Sequence, residues 1–124
     1  MPKKILIVED EPDPRVYLDT LLKENGFTTT TAEDGVKAMA KVKDFMPDVI
    51  LLDILMPEET GVKFYRDIKK DKTLKDIPVI ICSGATQYKS LFNLDRQALP
   101  KPFGFIEKPV DRDELLAKIN EALG

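Results

Sequence analysis

A run of four apolar residues, Val49–Leu52, ends on a single carboxylate, Asp53, and this stretch constrains the fold more than any other. Pro57 and Gly61 follow closely and force the chain to turn. A short, continuous apolar run that is bounded by turn residues predicts a strand buried on both faces of a parallel sheet. In open α/β sheets, ligands bind beyond the carboxyl ends of the strands, which is where we expect Asp53.

The same strand-then-helix pattern recurs along the chain. Apolar or β-branched runs at 4–8, 27–31, 79–82 and 103–106 predict further strands, and helical patterns follow at 12–25, 35–46, 61–70, 88–98 and 111–123. Gly26 is predicted as a left-handed helix stop and Asp111 as a helix cap. The spacing predicts these core-facing stripes: Val16, Leu18, Leu21 and Leu22; Val36, Met39, Ala40 and Val42; Val62, Phe64, Tyr65 and Ile68; Leu115, Leu116, Ile119 and Leu123.

Strand–helix alternation repeated five times predicts an α/β fold with a parallel sheet that is covered by helices on both sides. The carboxyl ends of all strands then lie at one edge. Strands must end in polar loops, so one polar residue there would be unremarkable. Here polar or charged residues end four of the apolar runs, and their coincidence predicts a site made of Glu9, Asp10, Asp53, Ser83 and Lys108.

This set of residues predicts metal-assisted phosphoryl chemistry. Three carboxylates at close range repel one another unless a cation intervenes, and a hard divalent ion such as Mg²⁺ suits oxygen ligands. With the metal in place, Asp53 can act as a nucleophile toward phosphorus and form an aspartyl phosphate. Lys108 would supply a cation for the phosphoryl oxygens, and Ser83 would supply a hydroxyl donor.

Composition sets the outer limits. The 124 residues suit one domain, and 43% apolar with 33% charged residues indicates a globular chain. The net charge of -3 gives no basic footprint, which argues against direct nucleic-acid binding. Cys82 is predicted to be a buried, reduced thiol. We expect no signal peptide and no membrane span, so the cytoplasm is the expected compartment.

Four motifs together carry a resemblance that covers essentially the whole chain: residues 4–12, residues 47–57 with Gly61, residues 78–84 and residues 105–109. On these motifs the chain resembles the receiver domain of two-component response regulators. The resemblance implies a flavodoxin-like (βα)5 doubly wound sheet of order 2-1-3-4-5. We expect a single receiver domain over 1–124 with no output domain in this stretch, either a stand-alone receiver or one excised from a larger protein.

The resemblance implies a role for each site residue. Asp53 would be the phosphoacceptor, and Glu9, Asp10, Asp53 and the backbone carbonyl of Leu55 would hold Mg²⁺. Ser83 would be the switch hydroxyl, Lys108 the phosphate-pairing lysine, Phe105 the aromatic switch, and Lys108–Pro109 a cis peptide.

The implied activity is not that of an enzyme beyond Mg²⁺-dependent self-phosphorylation and autodephosphorylation. The implied partners are a sensor histidine kinase or a histidine phosphotransfer protein, and an output domain or target protein. The resemblance also allows a phosphorylation-dependent dimer.

Each assignment has a simpler alternative. Glu9 and Asp10 could form a solvated acidic turn, Asp53 could cap a helix, and Ser83 could cap the helix that follows it. Lys108 could be an exposed lysine, and Phe105 could be an ordinary core aromatic.

The sequence departs from the family in one region and at one position. Residues 94–104 contain two prolines where receivers commonly carry an Ala-Gly-Ala-like turn, so a partner-binding mode is not transferred. Leu55, two residues after the phosphoacceptor, offers no side chain to position a hydrolytic water, which predicts a long-lived phosphoryl group.

Three other classes of protein compete with this interpretation. A haloacid-dehalogenase-type phosphatase needs an acid two residues after the nucleophile, where this chain has Leu55, and the chain has no room for a cap domain. A receiver-like module that binds without phosphorylation usually lacks an acid or the lysine, and both are present here. A flavin carrier of this fold would need a phosphate-binding loop after the first strand, where Glu9, Asp10 and Glu11 would repel phosphate.

Overall fold

The structure is a computed structural model and describes residues 2–54, 56–84 and 100–124. Within these residues, all neighbouring strands pair in parallel and form a single sheet of order β2-β1-β3-β4-β5. The strands are β1 (Lys4–Val8), β2 (Thr28–Ala32), β3 (Val49–Leu52), β4 (Val79–Ser83) and β5 (Gly104–Glu107). The predicted fold class and the strand order 2-1-3-4-5 are therefore confirmed.

Helices connect the strands and cover the sheet. The described residues contain α1 (Pro12–Glu24), α2 (Gly35–Phe45), a 3-10 turn (Pro57–Glu59), α3 (Thr60–Lys70) and α4 (Arg112–Leu123). The helix predicted at 88–98 and the carbonyl of Leu55 lie outside the described residues. None of the helices in the described part of the chain is long and apolar enough to span a membrane.

The core is split into two layers by the sheet. Side chains alternate between the two faces of a strand. In β1, Leu6 and Val8 therefore pack in the layer under α2 and α3. Ile5 and Ile7 pack in the layer under α1 and α4. All four side chains are buried. This double coverage explains why the strands read as unbroken apolar runs in the sequence.

The helix ends largely follow the sequence signals. The side chain of Asp34 accepts a hydrogen bond from Lys37 N at 2.8 Å, and that of Asp111 accepts one from Glu114 N at 2.9 Å. Gly26 adopts a φ of 88°, the left-handed conformation that ends α1. Both predicted caps of the sequence, Gly26 and Asp111, are present.

Two of the predicted helix stripes are wrong in part. Val16 and Val36 are 62% and 71% exposed, and Ala40 is also exposed. The buried face of α2 is instead formed by Gly35, Ala38 and Val42. Residues two positions apart lie on different sides of a helix, so burial of Leu18 turns Val16 outward, and burial of Ala38 does the same to Val36 and Ala40.

The start of α3 lies against the backbone that carries Asp53. A Cβ atom on Gly61 would lie 2.6 Å from the carbonyl oxygen of Ile54 and 2.8 Å from that of Asp53. Real Cβ contacts are longer than this, so Gly61 permits an approach that no other residue allows. The close contact fixes where the chain goes after β3.

We expect Gly61→Ala to destabilise the protein by about 1–3 kcal/mol, because the added methyl must push α3 away from two backbone carbonyls. Without this contact the same substitution inside a helix would stabilise by about 1 kcal/mol, so the sign of the change is decisive. Urea unfolding measures the difference, with Thr20→Ala at an exposed position of α1 as the control. Stabilisation by Gly61→Ala would show that the approach is not tight.

Candidate functional site

Backbone hydrogen bonds beyond the strand ends place three of the predicted residues. Glu9 N donates to Ala32 O at 3.0 Å, and Asp53 N donates to Val8 O at 2.9 Å. Lys108 N donates to Ser83 O at 2.8 Å. Each bond continues a parallel ladder by one step, so the side chains of Glu9, Asp53 and Lys108 leave the sheet at the same edge.

Three carboxylates meet at this edge. Glu9, Asp10 and Asp53 each offer one oxygen, and the three oxygens lie within 4.8 Å of one another. Glu9 is 1% exposed and Asp53 is 7% exposed, whereas Asp10 is partly exposed. Glu9 is therefore not part of a solvated acidic turn, the alternative considered from the sequence.

Lys108 bridges two of these acids. Its Nζ lies 2.6 Å from Glu9 Oε1 and 3.3 Å from Asp53 Oδ2. The lysine is thus half-buried in ion pairs and is not an exposed residue before a proline. Three carboxylates and one ammonium leave two net negative charges when all four groups are ionised. The Lys108–Pro109 peptide bond is cis.

Burial and neighbouring charges shift the pKa values of two members. The pKa of Glu9 is raised above its ordinary value, chiefly by burial and then by its contact with Asp53, against the opposing effect of Lys108. Burial alone would lower the pKa of Lys108, but its hydrogen bond to Glu9 and the charge of Asp53 outweigh burial and raise it. These shifts favour the charged form of Lys108 and disfavour the charged form of Glu9.

Two buried oxygen atoms at this edge make no hydrogen bond to the described part of the chain: Glu9 Oε2 and Ser83 Oγ. A buried polar atom without a partner costs free energy, and such atoms are rare in native proteins. Excess negative charge, clustered carboxylate oxygens and a spare Glu9 oxygen together fit a hard divalent cation such as Mg²⁺. The residues present therefore suit the ion that the sequence predicts.

The remaining predicted residues lie close to this edge or outside the described residues. Phe105 is partly buried on β5 and packs against the core layer under α2 and α3. The turn after Asp53 begins at Pro57, with Met56 as its N-cap. The other interpretation of Ser83, as the cap of the next helix, concerns residues that are not described.

Cys82 is buried as expected, and burial raises the pKa of its thiol to about 12.

Sequence reasoning missed Arg15. Its Nη1 donates to Glu9 O at 3.2 Å and to Asp10 O at 3.1 Å, so the guanidinium holds the backbone of two site acids. The only signal in the sequence was a long cation placed one helical turn after the acidic segment, and an Arg at such a position is usually solvated. The contact depends on tertiary geometry that a local pattern does not encode.

Comparison with known proteins gives the family. The family model described as "Response regulator receiver domain" matches residues 5–120. The chain is 35% identical over 120 residues to the protein PilH of Pseudomonas aeruginosa, and the match covers 97% of each chain. It is 32% identical over 124 residues to the phosphate regulon transcriptional regulatory protein PhoB of Escherichia coli, but spans only 52% of that protein.

A solved structure agrees with these matches. The chemotaxis protein CheY4 of Vibrio cholerae superposes with a TM-score of 0.87 at 27% identity, and the match covers 99% of this chain and 100% of that one. The sheet order, the receiver model over residues 5–120 and the relatives of matching length lead to one conclusion. The chain belongs to the response regulator receiver domain family of two-component signalling systems.

Proposed function

We propose that the chain accepts a phosphoryl group on Asp53 from a phosphohistidine of a sensor histidine kinase or a histidine phosphotransfer protein. The observation that carries this proposal is the cluster of Glu9, Asp10 and Asp53 oxygens within 4.8 Å, bridged by the ammonium of Lys108. Of the three acids, Asp53 alone follows the central strand β3, and its carboxylate contacts Lys108.

Glu9, Asp10 and Asp53 would hold Mg²⁺, and family resemblance adds the Leu55 carbonyl as a further ligand. When bound, the ion would neutralise negative charge on the phosphoryl oxygens and on the carboxylates. Without that neutralisation an incoming phosphoryl group would meet a site with two net negative charges. Glu9 Oε2, which makes no hydrogen bond to the described part of the chain, would be an available oxygen ligand.

The transfer itself requires little covalent chemistry from the protein. A carboxylate oxygen of Asp53 attacks phosphorus, a P–O bond forms, and the P–N bond of the phosphohistidine breaks with its electron pair passing to the imidazole nitrogen. Phosphoryl transfer depends mainly on positioning and charge neutralisation. The Lys108 ammonium lies 3.3 Å from Asp53 Oδ2 and would pair with the oxygens of the transferred group.

Ser83 and Phe105 would convert phosphorylation into a change of surface. The buried Ser83 hydroxyl would donate to a phosphoryl oxygen and thereby gain a partner that the described residues do not provide. β4 and β5 are paired, with Ile81 opposite Phe105. Movement of the Ser83 segment would therefore displace β5 and change the surroundings of Phe105. The result is a shift between two states that differ in their contacts to the phosphate.

A donor protein would approach beside the acidic cluster. A cavity of about 230 Å³ between the start of α1 and the segment after β5 is lined by Pro14, Tyr17, Pro109 and Val110, next to Lys108 and Glu9. Tyr17 is 48% exposed, which gives this rim apolar and aromatic surface for a partner. The output would be a target protein or an attached domain.

We expect Asp53→Asn to abolish labelling by acetyl phosphate in the presence of Mg²⁺, because the amide nitrogen and oxygen are poor nucleophiles. Intact-protein mass spectrometry, which reports the added phosphoryl group, makes the measurement. Asp76→Asn is the matched control, since Asp76 precedes β4 at the opposite edge of the sheet. Unchanged labelling of Asp53→Asn would refute the site assignment.

Lys108→Met should have opposite effects on two measurements. Removing the ammonium leaves the carboxylates unopposed, so Mg²⁺ should bind about tenfold more tightly. Phosphorylation by acetyl phosphate should become much slower, because the phosphoryl oxygens lose their cation. Isothermal titration calorimetry and the labelling assay give the two quantities, with Lys101→Met at an exposed site as the control. Faster or equal labelling would exclude the proposed role of Lys108.

Glu9 should make the stability of the metal-free protein depend on pH. Its folded-state pKa is raised above the ordinary value of 4.5, so the native state binds more protons than the unfolded state between the two values. Stability should therefore fall as the pH rises through this window, and Glu9→Gln should be more stable than the wild type above it. Urea unfolding at several pH values tests this.

Two conditions sharpen that experiment. The advantage of Glu9→Gln should shrink as the pH falls to 4.5 and below, because the wild-type side chain becomes protonated there. It should reverse in excess Mg²⁺, which stabilises only the carboxylate cluster. An advantage that persists unchanged in Mg²⁺ would mean that Glu9 is not a metal ligand.

A further inference from the structure

Arg15 lies in the first turns of α1, and its side chain reaches back over the segment that joins β1 to α1. Its Nη1 donates to the carbonyl oxygens of Glu9 and Asp10, at 3.2 Å and 3.1 Å. We propose that Arg15 is a positioning residue that fixes the peptide units carrying these two acids and thereby prepares the site for Mg²⁺. This inference rests on the proposed function.

The two carbonyls have few other donors available. They follow the last ladder bond of this segment, between Glu9 N and Ala32 O, and no backbone amide of the described residues donates to either oxygen. Pro12 and Pro14 have no N–H group, so the first turn of α1 has few amides to offer. The N-cap residue of α1, Glu11, makes no side-chain capping bond. Arg15 supplies the hydrogen bonds that this connection otherwise lacks.

Loss of the Arg15 hydrogen bonds should change the orientation of Asp10 more than that of Glu9. Glu9 is held on its amide side by Ala32 and through its side chain by Lys108. Asp10 is partly exposed, and the described residues show no comparable anchor for its carboxylate. Fixing the carbonyl of Asp10 fixes the orientation of its peptide plane, and hence the direction in which its side chain leaves the backbone.

Arg15 also brings a positive charge close to a cation site. The repulsion between this charge and Mg²⁺ opposes the benefit of positioning the ligands. Its charge alone would repel Mg²⁺ and weaken binding. Its two hydrogen bonds hold the ligands in place, and loss of such supporting contacts commonly weakens metal binding by tenfold or more. The two effects have opposite signs, so the affinity of a variant distinguishes them.

The test is a Mg²⁺ titration of the full chain by isothermal titration calorimetry, comparing the wild type with Arg15→Met. We expect Arg15→Met to bind Mg²⁺ about tenfold more weakly, as for other supporting contacts of metal sites. Arg15→Lys keeps the charge and a donor, and should recover part of the loss. Tighter or equal binding by Arg15→Met would overturn the inference, because charge removal alone predicts tighter binding.

Three controls separate positioning from other effects. Lys23→Met removes a cation from the far end of the same helix and should leave the affinity within about twofold, because an exposed charge at that distance is screened. Urea unfolding of Arg15→Met shows whether the variant is folded during the titration. If it is not folded, the comparison of Arg15→Lys with the wild type decides, with unaltered affinity expected for a purely electrostatic role and reduced affinity for positioning.

The failure of this inference differs from the failure of the proposed function. If the wild type neither binds Mg²⁺ nor becomes phosphorylated, the proposed function is wrong. If the wild type does both and Arg15→Met binds Mg²⁺ equally well, only the role of Arg15 is wrong. Amide chemical shifts of Asp10 and Glu11, whose N–H groups share peptide units with the two carbonyls, provide an independent readout, since loss of the Arg15 bonds should move them even without metal.

Discussion

The ammonium of Lys108, bridging Glu9 and Asp53, is the interaction on which the candidate site depends. Buried carboxylates without a counter-charge are strongly unfavourable, and one lysine offsets only part of the negative charge here. The remaining negative charge makes this edge suitable for a divalent cation. A cation bound to these carboxylates would offset the remaining repulsion and stabilise the folded state.

Much of this arrangement could be predicted from the sequence, because it follows from local patterns and from topology. Short apolar runs define the strands, and right-handed crossovers place their carboxyl ends together, so that Glu9, Asp53 and Lys108 must meet although 55 or 99 positions separate Lys108 from the two acids. The strand order itself came from the family resemblance. Local sequence does not determine it.

The features that could not be predicted are those set by tertiary packing. The exposure of Val16, Val36 and Ala40 depends on how each helix is rotated about its axis against the sheet. The apolar stripe of each helix is wider than its buried face, so the sequence alone does not determine this rotation. The bonds of Arg15 to the backbone and the approach of Gly61 to the Asp53 carbonyl depend on distances of a few tenths of an ångström between separate elements. No periodic pattern carries that information.

The ladder bonds from Glu9 N, Asp53 N and Lys108 N have a broader consequence. They involve only main-chain atoms, so the location of each functional position is independent of which side chain occupies it. An acid exchanged for an amide, or a lysine for an arginine, would leave these main-chain bonds in place. The fold thus fixes the position of a functional group through the main chain and leaves its chemistry to the side chain.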